Sequence, residues 1–299
     1  MVPVLSLAEA RSSSIALRAQ FASALSVGWK KFGFVVLRDH GIADSLLDRA
    51  YDLAANLFAM PADRKQSYAS GLRGYTPFGT EHAKDTAAPD LKEFWQIGRD
   101  LPNEHDFPPN VWPVELPDFR ATFLNLYREL DTVGGLLLEA LAPSLGLPPD
   151  WFHERVARGN SILRVIHYPP LAGPPSGSLR SAAHEDINFI TIMVAARGAG
   201  LQLRDADGQW LPVTADSRQL IVNTGDMLAR LTNEMIGAKT HRVVNPEGPN
   251  VSRYSMPFFL HPADAVSLAC LPACRGSGAK YPDITAGEFL AERVRQIGL

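Results

Sequence analysis

The second half of the chain carries a series of short apolar segments, and turn residues separate them. Some segments alternate apolar and polar residues, whereas others are brief apolar runs, and glycine, proline or aspartate follows several of them. Several short strands separated by turns are typical of a sandwich or a barrel. The predicted strands lie at residues 162–168, 189–194, 201–203, 219–222, 239–244 and 254–260.

The first half of the chain is predicted to be mainly helical, with one short strand at residues 34–37. Apolar residues recur there at the spacing of one helix face. Asp44 is a suitable N-cap for the second helix, and Gly146 with Pro148 beyond it ends the third. The predicted helices lie at residues 17–32, 44–57 and 117–145, and a last amphipathic helix lies at 286–297.

A segment without clear periodicity lies between the second and third predicted helices, at about residues 71–113. Long loops rich in aromatic residues often line a pocket, and packing against the core is the equal alternative. Lys92 and Arg99 of this segment are candidates to meet an acidic substrate, with solvated surface charges as the alternative. The candidate substrate residues are Tyr75, Phe78, Phe94 and Trp95 of this segment and Phe258 of the last strand.

Charge and composition argue against several classes of function. The net charge of −3 lacks the basic footprint of a nucleic-acid-binding protein. The sequence contains no apolar run of about 18 residues, which a transmembrane helix requires, and its start does not resemble a signal peptide. Cys270 and Cys274 are expected to be reduced thiols, although a disulfide or half of a zinc site is the alternative. We therefore expect a cytoplasmic protein without nucleic-acid or membrane partners.

Three residues form a candidate metal site. His184 and Asp186 stand two positions apart, so that both side chains face the same way in extended backbone, and His241 follows on a later strand. Two imidazoles and one carboxylate are the ligands of non-haem Fe(II) oxygenases, in which the remaining coordination positions take substrate and O₂. Zinc is the alternative metal, but the His-Glu-x-x-His motif that supplies a general base in zinc hydrolases is absent.

Arg253 and Ser255 form a candidate carboxylate clamp, because side chains two apart on a strand point the same way. A guanidinium and a hydroxyl can together bind a carboxylate. Arg253 lies in an apolar strand without an evident acidic partner, so an inward Arg253 requires a bound anion. Tyr168, at the end of an earlier strand, is a candidate to add a phenolic hydroxyl to the same carboxylate.

These residues resemble the isopenicillin N synthase-like branch of the Fe(II)/2-oxoglutarate-dependent dioxygenases. The resemblance covers nearly the whole chain, and its motifs follow in the family's order. One departure is Ile166, where many plant members have asparagine. The matching stretches are residues 29–34, Asp39-His40-Gly41-Ile42, Arg73-Gly74-Tyr75, Tyr168-Pro169, His184-Glu185-Asp186, Asn223-Thr224-Gly225-Asp226, His241-Arg242-Val243 and Arg253-Tyr254-Ser255.

The resemblance implies a mainly β fold with flanking helices, whose core is a distorted double-stranded β-helix, or jelly roll. Residues 1–115 would form an N-terminal helical and mixed region, and residues 116–299 the jelly-roll core with a closing helix. His184, Asp186 and His241 would hold Fe(II). The group of Arg253, Ser255 and Tyr168 would bind the distal carboxylate of 2-oxoglutarate.

The implied activity is oxidation of a C–H bond of a small-molecule substrate by O₂, with release of succinate and CO₂. Hydroxylation, desaturation and cyclisation all begin with the same hydrogen abstraction. Two alternatives remain open. One is an Fe(II)-dependent oxidase that does not use 2-oxoglutarate, and the other is a catalytically silent, metal-stabilised binding module.

Overall fold

The computed structural model describes residues 2–83, 88–100, 107–173 and 177–296. Its strands are β1 (Val4–Ser6), β2 (Phe34–Arg38), β3 (Ala69–Ser70), β4 (Arg73–Thr76), β5 (Glu93–Gly98), β6 (Ile162–Tyr168), β7 (Ser181–His184), β8 (Ile190–Arg197), β9 (Leu201–Arg204), β10 (Trp210–Pro212), β11 (Leu220–Thr224), β12 (His241–Val243) and β13 (Arg253–Leu260). Its helices are α1 (Leu7–Ala10), α2 (Ile15–Phe32), α3 (Asp44–Phe58), α4 (Ala62–Gln66), α5 (Phe119–Leu141), α6 (His153–Ala157), α7 (Asp226–Leu231) and α8 (Ala286–Gln296).

The strands form two sheets that enclose a common interior. The larger sheet has the order β1-β2-β11-β8-β13-β6-β5-β4-β3, and the smaller one has the order β10-β9-β12-β7. Buried apolar residues from both sheets pack together, among them Phe34 and Ile166 from the larger sheet and Leu203 from the smaller. Helices flank this two-sheet core, which is the predicted jelly-roll architecture.

Strands from both predicted parts of the chain share the larger sheet. β2 pairs with β11, and β5 pairs with β6, so elements before and after residue 115 are hydrogen-bonded neighbours. Strands from residues 1–115 and strands from residues 116–299 therefore share the larger sheet. The division of the chain after residue 115 stays a prediction.

The central segment differs from its prediction, because it contains two paired strands. β4 and β5 lie within residues 71–113, and β5 joins the segment to β6. Every residue of both strands is buried. Strands that are buried on both faces lack the alternation of polar and apolar residues by which a half-exposed strand is recognised, so the sequence pattern did not reveal them.

The long predicted helices are present, with small changes at their ends. Asp44 is the first residue of α3, and Ala43 occupies the N-cap position predicted for Asp44. α5 ends at Leu141 and continues as a 3₁₀ helix to Leu145, where Gly146 adopts a left-handed conformation with φ of 72°. α8 is described as far as Gln296, and the predicted last residue, Ile297, lies outside the described residues.

Gly134 of α5 lies where the helix packs against the larger sheet. A Cβ at Gly134 would come within 2.7 Å of Leu260 Cδ2 and 3.2 Å of Ile192 Cδ1, whereas a Cβ at Gly135 would have no described heavy atom within 4 Å apart from its chain neighbours and the nearby backbone of its own helix. We expect Gly134→Ala to lower the free energy of unfolding by about 1–3 kcal/mol through overpacking. Gly135→Ala is expected to raise it by about 1 kcal/mol, since alanine is the better helix former. Urea denaturation of the two variants checks this, and shifts of the same sign would contradict it.

Two further observations concern the thiols and the membrane. Cys270 and Cys274 are both free and buried, so neither forms a disulfide in this fold. Within the described residues, no helix combines the length and the apolar character that crossing a membrane would require.

Candidate active site

The three candidate metal ligands lie together at the end of the smaller sheet where β7 ends and β12 begins. His184 ends β7 and His241 begins β12, and the two residues are direct partners across these antiparallel strands. Asp186 follows two residues after His184. Its Oδ1 lies 3.7 Å from His184 Nε2 and 3.8 Å from His241 Nε2. One ligand atom from each residue lies within 4.8 Å of the other two, so the structure brings together the three residues that the sequence pattern selected.

Hydrogen bonds orient all three side chains toward a common point. His184 Nδ1 donates to the Ala182 carbonyl at 2.8 Å, and His241 Nδ1 donates to the Lys239 carbonyl at 3.0 Å. Because each Nδ1 keeps its proton, each Nε2 presents a lone pair to the centre.

The carboxylate of Asp186 is held in the same way. Its Oδ2 accepts hydrogen bonds from Thr191 Oγ1 at 2.6 Å and from Asn223 Nδ2 at 2.7 Å. Oδ1 remains to face the two histidines. Asn223 belongs to a stretch that carries the family resemblance, but only the structure shows that it contacts a candidate metal ligand.

The ionisation of the cluster suits a divalent cation. Burial alone would raise the pKa of Asp186, but the charges of His241 and His184 and the two hydrogen bonds outweigh it, and the pKa is lowered. Burial, followed by the charge of His241, lowers the pKa of His184. A carboxylate and a neutral imidazole are the protonation states that bind metal.

The donor set fits iron. Two imidazole nitrogens and one carboxylate oxygen form the facial triad of Fe(II) oxygenases and leave coordination positions open. Glu185, between two of the ligands, is exposed, and its Oε1 accepts a hydrogen bond from Thr240 at 2.7 Å. It is therefore turned away from the cluster, and it does not supply the nearby general base that is usual in zinc hydrolases.

The candidate carboxylate clamp is buried in the same cavity. Arg253 on β13 pairs in register with Tyr168 on β6, and Ser255 lies on the same face two residues later. The Arg253 side chain is 1% exposed, and its Nε and Nη1 have no hydrogen-bond partner among the described residues. A buried guanidinium with unused donors requires an anion, and a carboxylate matches its two parallel N–H groups.

One cavity, enclosing about 560 Å³ of space that includes open solvent, is lined by both groups. Alternate residues of β6, β8, β12 and β13 face it, as the pleat of a β-sheet requires. Besides the three metal ligands and the group of Arg253, Ser255 and Tyr168, the cavity is lined by Phe34, Lys92, Arg164, Ile166, Ser181, Thr191, Met193, Leu201, Asn223, Val243, Pro257 and Phe259.

The five aromatic residues predicted for the substrate pocket lie elsewhere, since none lines this cavity as the described residues form it. Trp95 and Phe258 are fully buried and pack against Phe119 and Tyr127 of α5, respectively, on the opposite face of the sheet. Phe258 lies five residues after Arg253 on β13. Its side chain therefore points to the opposite face of the sheet.

The other three candidates do not line the cavity either. Tyr75 is buried and donates a hydrogen bond from its hydroxyl to Glu93, whereas Phe78 is 47% exposed. Phe94 lies on the cavity side of β5, but the guanidinium of Arg164 covers its ring with 4.2 Å between Cζ and the ring centroid. Phe94 therefore packs against the cationic side chain of Arg164, which lines the cavity.

Alternation along β13 could have identified the residues that line the cavity instead of the aromatic candidates. Pro257 and Phe259 share the parity of Arg253 and Ser255 along β13, and both line the cavity. The two candidate cations also separate. Lys92 is buried and lines the cavity, whereas Arg99 lies outside the lining and forms a bidentate ion pair with Asp131 at 2.9 Å.

Comparison with known proteins agrees with this geometry. The family model described as the N-terminal part of a non-haem dioxygenase in morphine synthesis matches residues 2–115, and the model of the 2OG-Fe(II) oxygenase superfamily matches residues 159–262. A 2-oxoglutarate-Fe(II) type oxidoreductase, hxnY of Emericella nidulans, is 31% identical over 284 residues. The match covers 88% of this chain and 81% of that protein.

Solved structures are similar over almost the whole chain. A 2OG-Fe(II) oxygenase family protein from Caulobacter crescentus is 42% identical, with a TM-score of 0.88 and 98% of each chain covered. A full-length Neurospora crassa protein, solved in complex with alpha-KG and thymine, is 28% identical with a TM-score of 0.89, and the match covers 98% of this chain and 96% of that protein. The double-stranded β-helix is thereby confirmed, and the chain belongs to the 2OG-Fe(II) oxygenase superfamily as an oxidoreductase that uses iron, 2-oxoglutarate and O₂.

Proposed function

We propose that His184, Asp186 and His241 hold Fe(II), and that Arg253 and Ser255, assisted by Tyr168, bind the distal carboxylate of 2-oxoglutarate. One observation carries the proposal. The Arg253 guanidinium is buried with unused donors in the cavity that also contains the three converging ligand atoms. A dicarboxylate that reaches from the metal to Arg253 would satisfy both ends of this cavity.

When bound, iron and 2-oxoglutarate would supply the redox chemistry: O₂ is the oxidant, and its four electrons come from the oxidative decarboxylation of 2-oxoglutarate to succinate and CO₂ and from the substrate C–H bond. The protein's own residues orient these partners. Arg253 neutralises the distal carboxylate, and the hydroxyls of Ser255 and Tyr168 donate hydrogen bonds to it. Thr191 and Asn223 hold Asp186 in one orientation, so that Oδ1 faces the metal. Apolar walls at Leu201 and Val243 exclude water from the co-substrate.

The substrate is a small molecule that we place against Pro257, Phe259 and Arg164. Pro257 and Phe259 offer apolar surface, and Arg164 at the same wall keeps its Nε donor, which has no partner among the described residues. The Neurospora crassa relative is solved in complex with thymine, and a compact molecule of that kind is the substrate class that we propose for this cavity. We also propose a cytoplasmic location without nucleic-acid or membrane partners, because the net charge is −3 and both cysteines are free.

Anaerobic titration tests this assignment. Purified apoprotein is loaded with Fe(II), and the visible spectrum is recorded as 2-oxoglutarate is added. We expect a weak metal-to-ligand charge-transfer band that is absent in His184→Ala. Iron binding without this band would favour the oxidase that does not use 2-oxoglutarate. A protein that binds iron but releases no succinate with any substrate would favour the silent binding module, and the absence of iron binding would contradict the assignment.

A further inference from the structure

A buried network of charged side chains lies beside the cavity. It consists of Glu81, Asp90, Lys92 and Arg164. Lys92 Nζ contacts Glu81 Oε2 at 2.6 Å and Asp90 Oδ2 at 2.8 Å. Arg164 Nη1 donates to both carboxylate oxygens of Glu81, at 2.9 and 3.2 Å. Two cations and two carboxylates therefore balance in the interior. Lys92 and Arg164 also line the cavity, so the network is part of its wall.

Asp90 connects this network to a metal ligand through one residue. The Oδ1 of Asp90 accepts the backbone N–H of Ala182 at 2.8 Å. The carbonyl of Ala182 in turn accepts the Nδ1 proton of His184 at 2.8 Å. Both backbone polar groups of Ala182 are thus engaged, one by the carboxylate of Asp90 and the other by the ring of His184. The orientation of His184 depends on the position of this short backbone segment.

His184 needs such support more than the other histidine ligand does. Its strand, β7, has four residues and lies at the edge of the smaller sheet, whereas β12, which carries His241, lies between β9 and β7. The side chain of His184 is 33% exposed and that of His241 is 9% exposed. The segment before β5 reinforces the edge, because Leu91 N donates to the Leu179 carbonyl at 2.9 Å.

The counter-charges keep Asp90 in place. Asp90 is 3% exposed, so an unpaired carboxylate there would be costly. Burial tends to lower the pKa of Lys92, but Glu81 and Asp90 outweigh it and raise the pKa. Burial likewise tends to raise the pKa of Glu81, but Arg164 and Lys92 hold it well below its usual range. The backbone also closes this turn, since Asp90 N donates to the Glu81 carbonyl at 2.9 Å.

We propose that Asp90 is a positioning residue for the metal ligand His184, and that its ion pair with Lys92 holds it in that role. The proposal rests on the assignment of His184 as an Fe(II) ligand. Hydrogen-bond partners of metal ligands commonly fix ring orientation and tautomer, and their loss costs about 10–100-fold in metal affinity. Asp90 acts one step further out, through the backbone of Ala182.

The test measures binding of Co(II) alone to the full-length, metal-free protein by equilibrium dialysis, and no activity assay is needed. We expect Asp90→Ala to weaken Co(II) binding by about 10-fold or more. Asp90→Asn keeps an acceptor for the Ala182 N–H but loses the ion pair with Lys92, so its affinity for Co(II) is expected to lie between those of the parent and of Asp90→Ala. Long-range ¹H–¹⁵N spectra of the metal-free protein are expected to show His184 protonated at Nδ1 in the parent and as a mixture of tautomers in Asp90→Ala.

A matched control separates positioning from general loss of stability. Glu93, the first residue of β5, is 5% exposed and pairs with Lys65 at 2.7 Å. Glu93→Gln therefore removes a comparable buried charge without touching Ala182, and we expect it to lower the Tm while leaving Co(II) affinity and the His184 tautomer unchanged.

The outcomes distinguish failure of the positioning role of Asp90 from failure of the metal-site assignment on which that role rests. If His184→Ala binds Co(II) as tightly as the parent, the metal-site assignment fails, and this proposal fails with it. If His184→Ala loses Co(II) while Asp90→Ala keeps the parent's affinity and tautomer, only the positioning role is overturned. Should Asp90→Ala not fold, Asp90→Ser, whose side chain is too short to reach Ala182, is judged by the same criteria.

Discussion

Replacing Asp186 with alanine is expected to abolish Fe(II) binding and the succinate release that depends on it. Asp186 supplies the only carboxylate of the three-residue cluster found among the described residues. Loss of a ligand should exceed the roughly 10–100-fold loss of affinity that follows removal of a ligand's hydrogen-bond partner. Thr191 and Asn223 would also lose a shared acceptor, which costs about 1–3 kcal/mol for each buried donor left unpaired. Metal content after dialysis and the rate of succinate formation measure the effect.

Glu185→Ala is the matched control for that variant. Glu185 is the neighbouring carboxylate, but it is exposed and accepts a hydrogen bond from Thr240. We expect Glu185→Ala to retain iron and turnover. Retention of parental iron affinity and succinate release by Asp186→Ala would show that this cluster is not the metal site.

Replacing Arg253 with alanine is expected to weaken 2-oxoglutarate binding while leaving Fe(II) binding intact. The guanidinium is the buried cation whose Nε and Nη1 lack a partner in the described part of the chain. Truncating one partner of a buried, hydrogen-bonded charge pair costs about 2–5 kcal/mol, which is roughly 30- to 5000-fold in Kd. The Kd for 2-oxoglutarate, measured on the Fe(II)-loaded protein without oxygen, gives this factor directly.

In the protein without 2-oxoglutarate, loss of the Arg253 charge should not lower the thermal stability. Arg253 then carries an uncompensated buried charge, so Arg253→Met is expected to preserve or raise the Tm of the ligand-free protein. Arg197→Ala is the matched control, because Arg197 ends β8 with a side chain that is 48% exposed and pairs with Asp48. We expect it to leave the affinity for 2-oxoglutarate unchanged. Parental affinity in Arg253→Ala would remove Arg253 from the co-substrate site.

Local periodicity was sufficient for the long helices, each of which has one exposed face. The helices α2, α3 and α5 follow their predicted spans closely, because each buries one stripe of apolar residues at helical spacing. The same rule failed for β4 and β5, which are buried on both faces and so lack alternation. The aromatic residues of these strands were equally compatible with a pocket lining and with the core, and Trp95 belongs to the core.

The sequence by itself determined the chemistry of the site. The two-residue spacing of His184 and Asp186, and that of Arg253 and Ser255, places each pair on one face of an extended chain, whatever the rest of the fold does. Residue type then selects a divalent metal and a carboxylate. These inferences need only local backbone geometry, and the structure places the four side chains in one cavity with His241.

Only the tertiary structure decided what surrounds that chemistry. Asn223 reaches Asp186 because β11 lies beside β8, and Asp90 reaches Ala182 because the segment before β5 runs along the open edge of β7. No periodicity records such contacts, since they join residues far apart in sequence whose proximity depends on how the sheets and loops pack. Spacing fixes which way a side chain points along one strand, whereas the packing of many elements fixes what it meets.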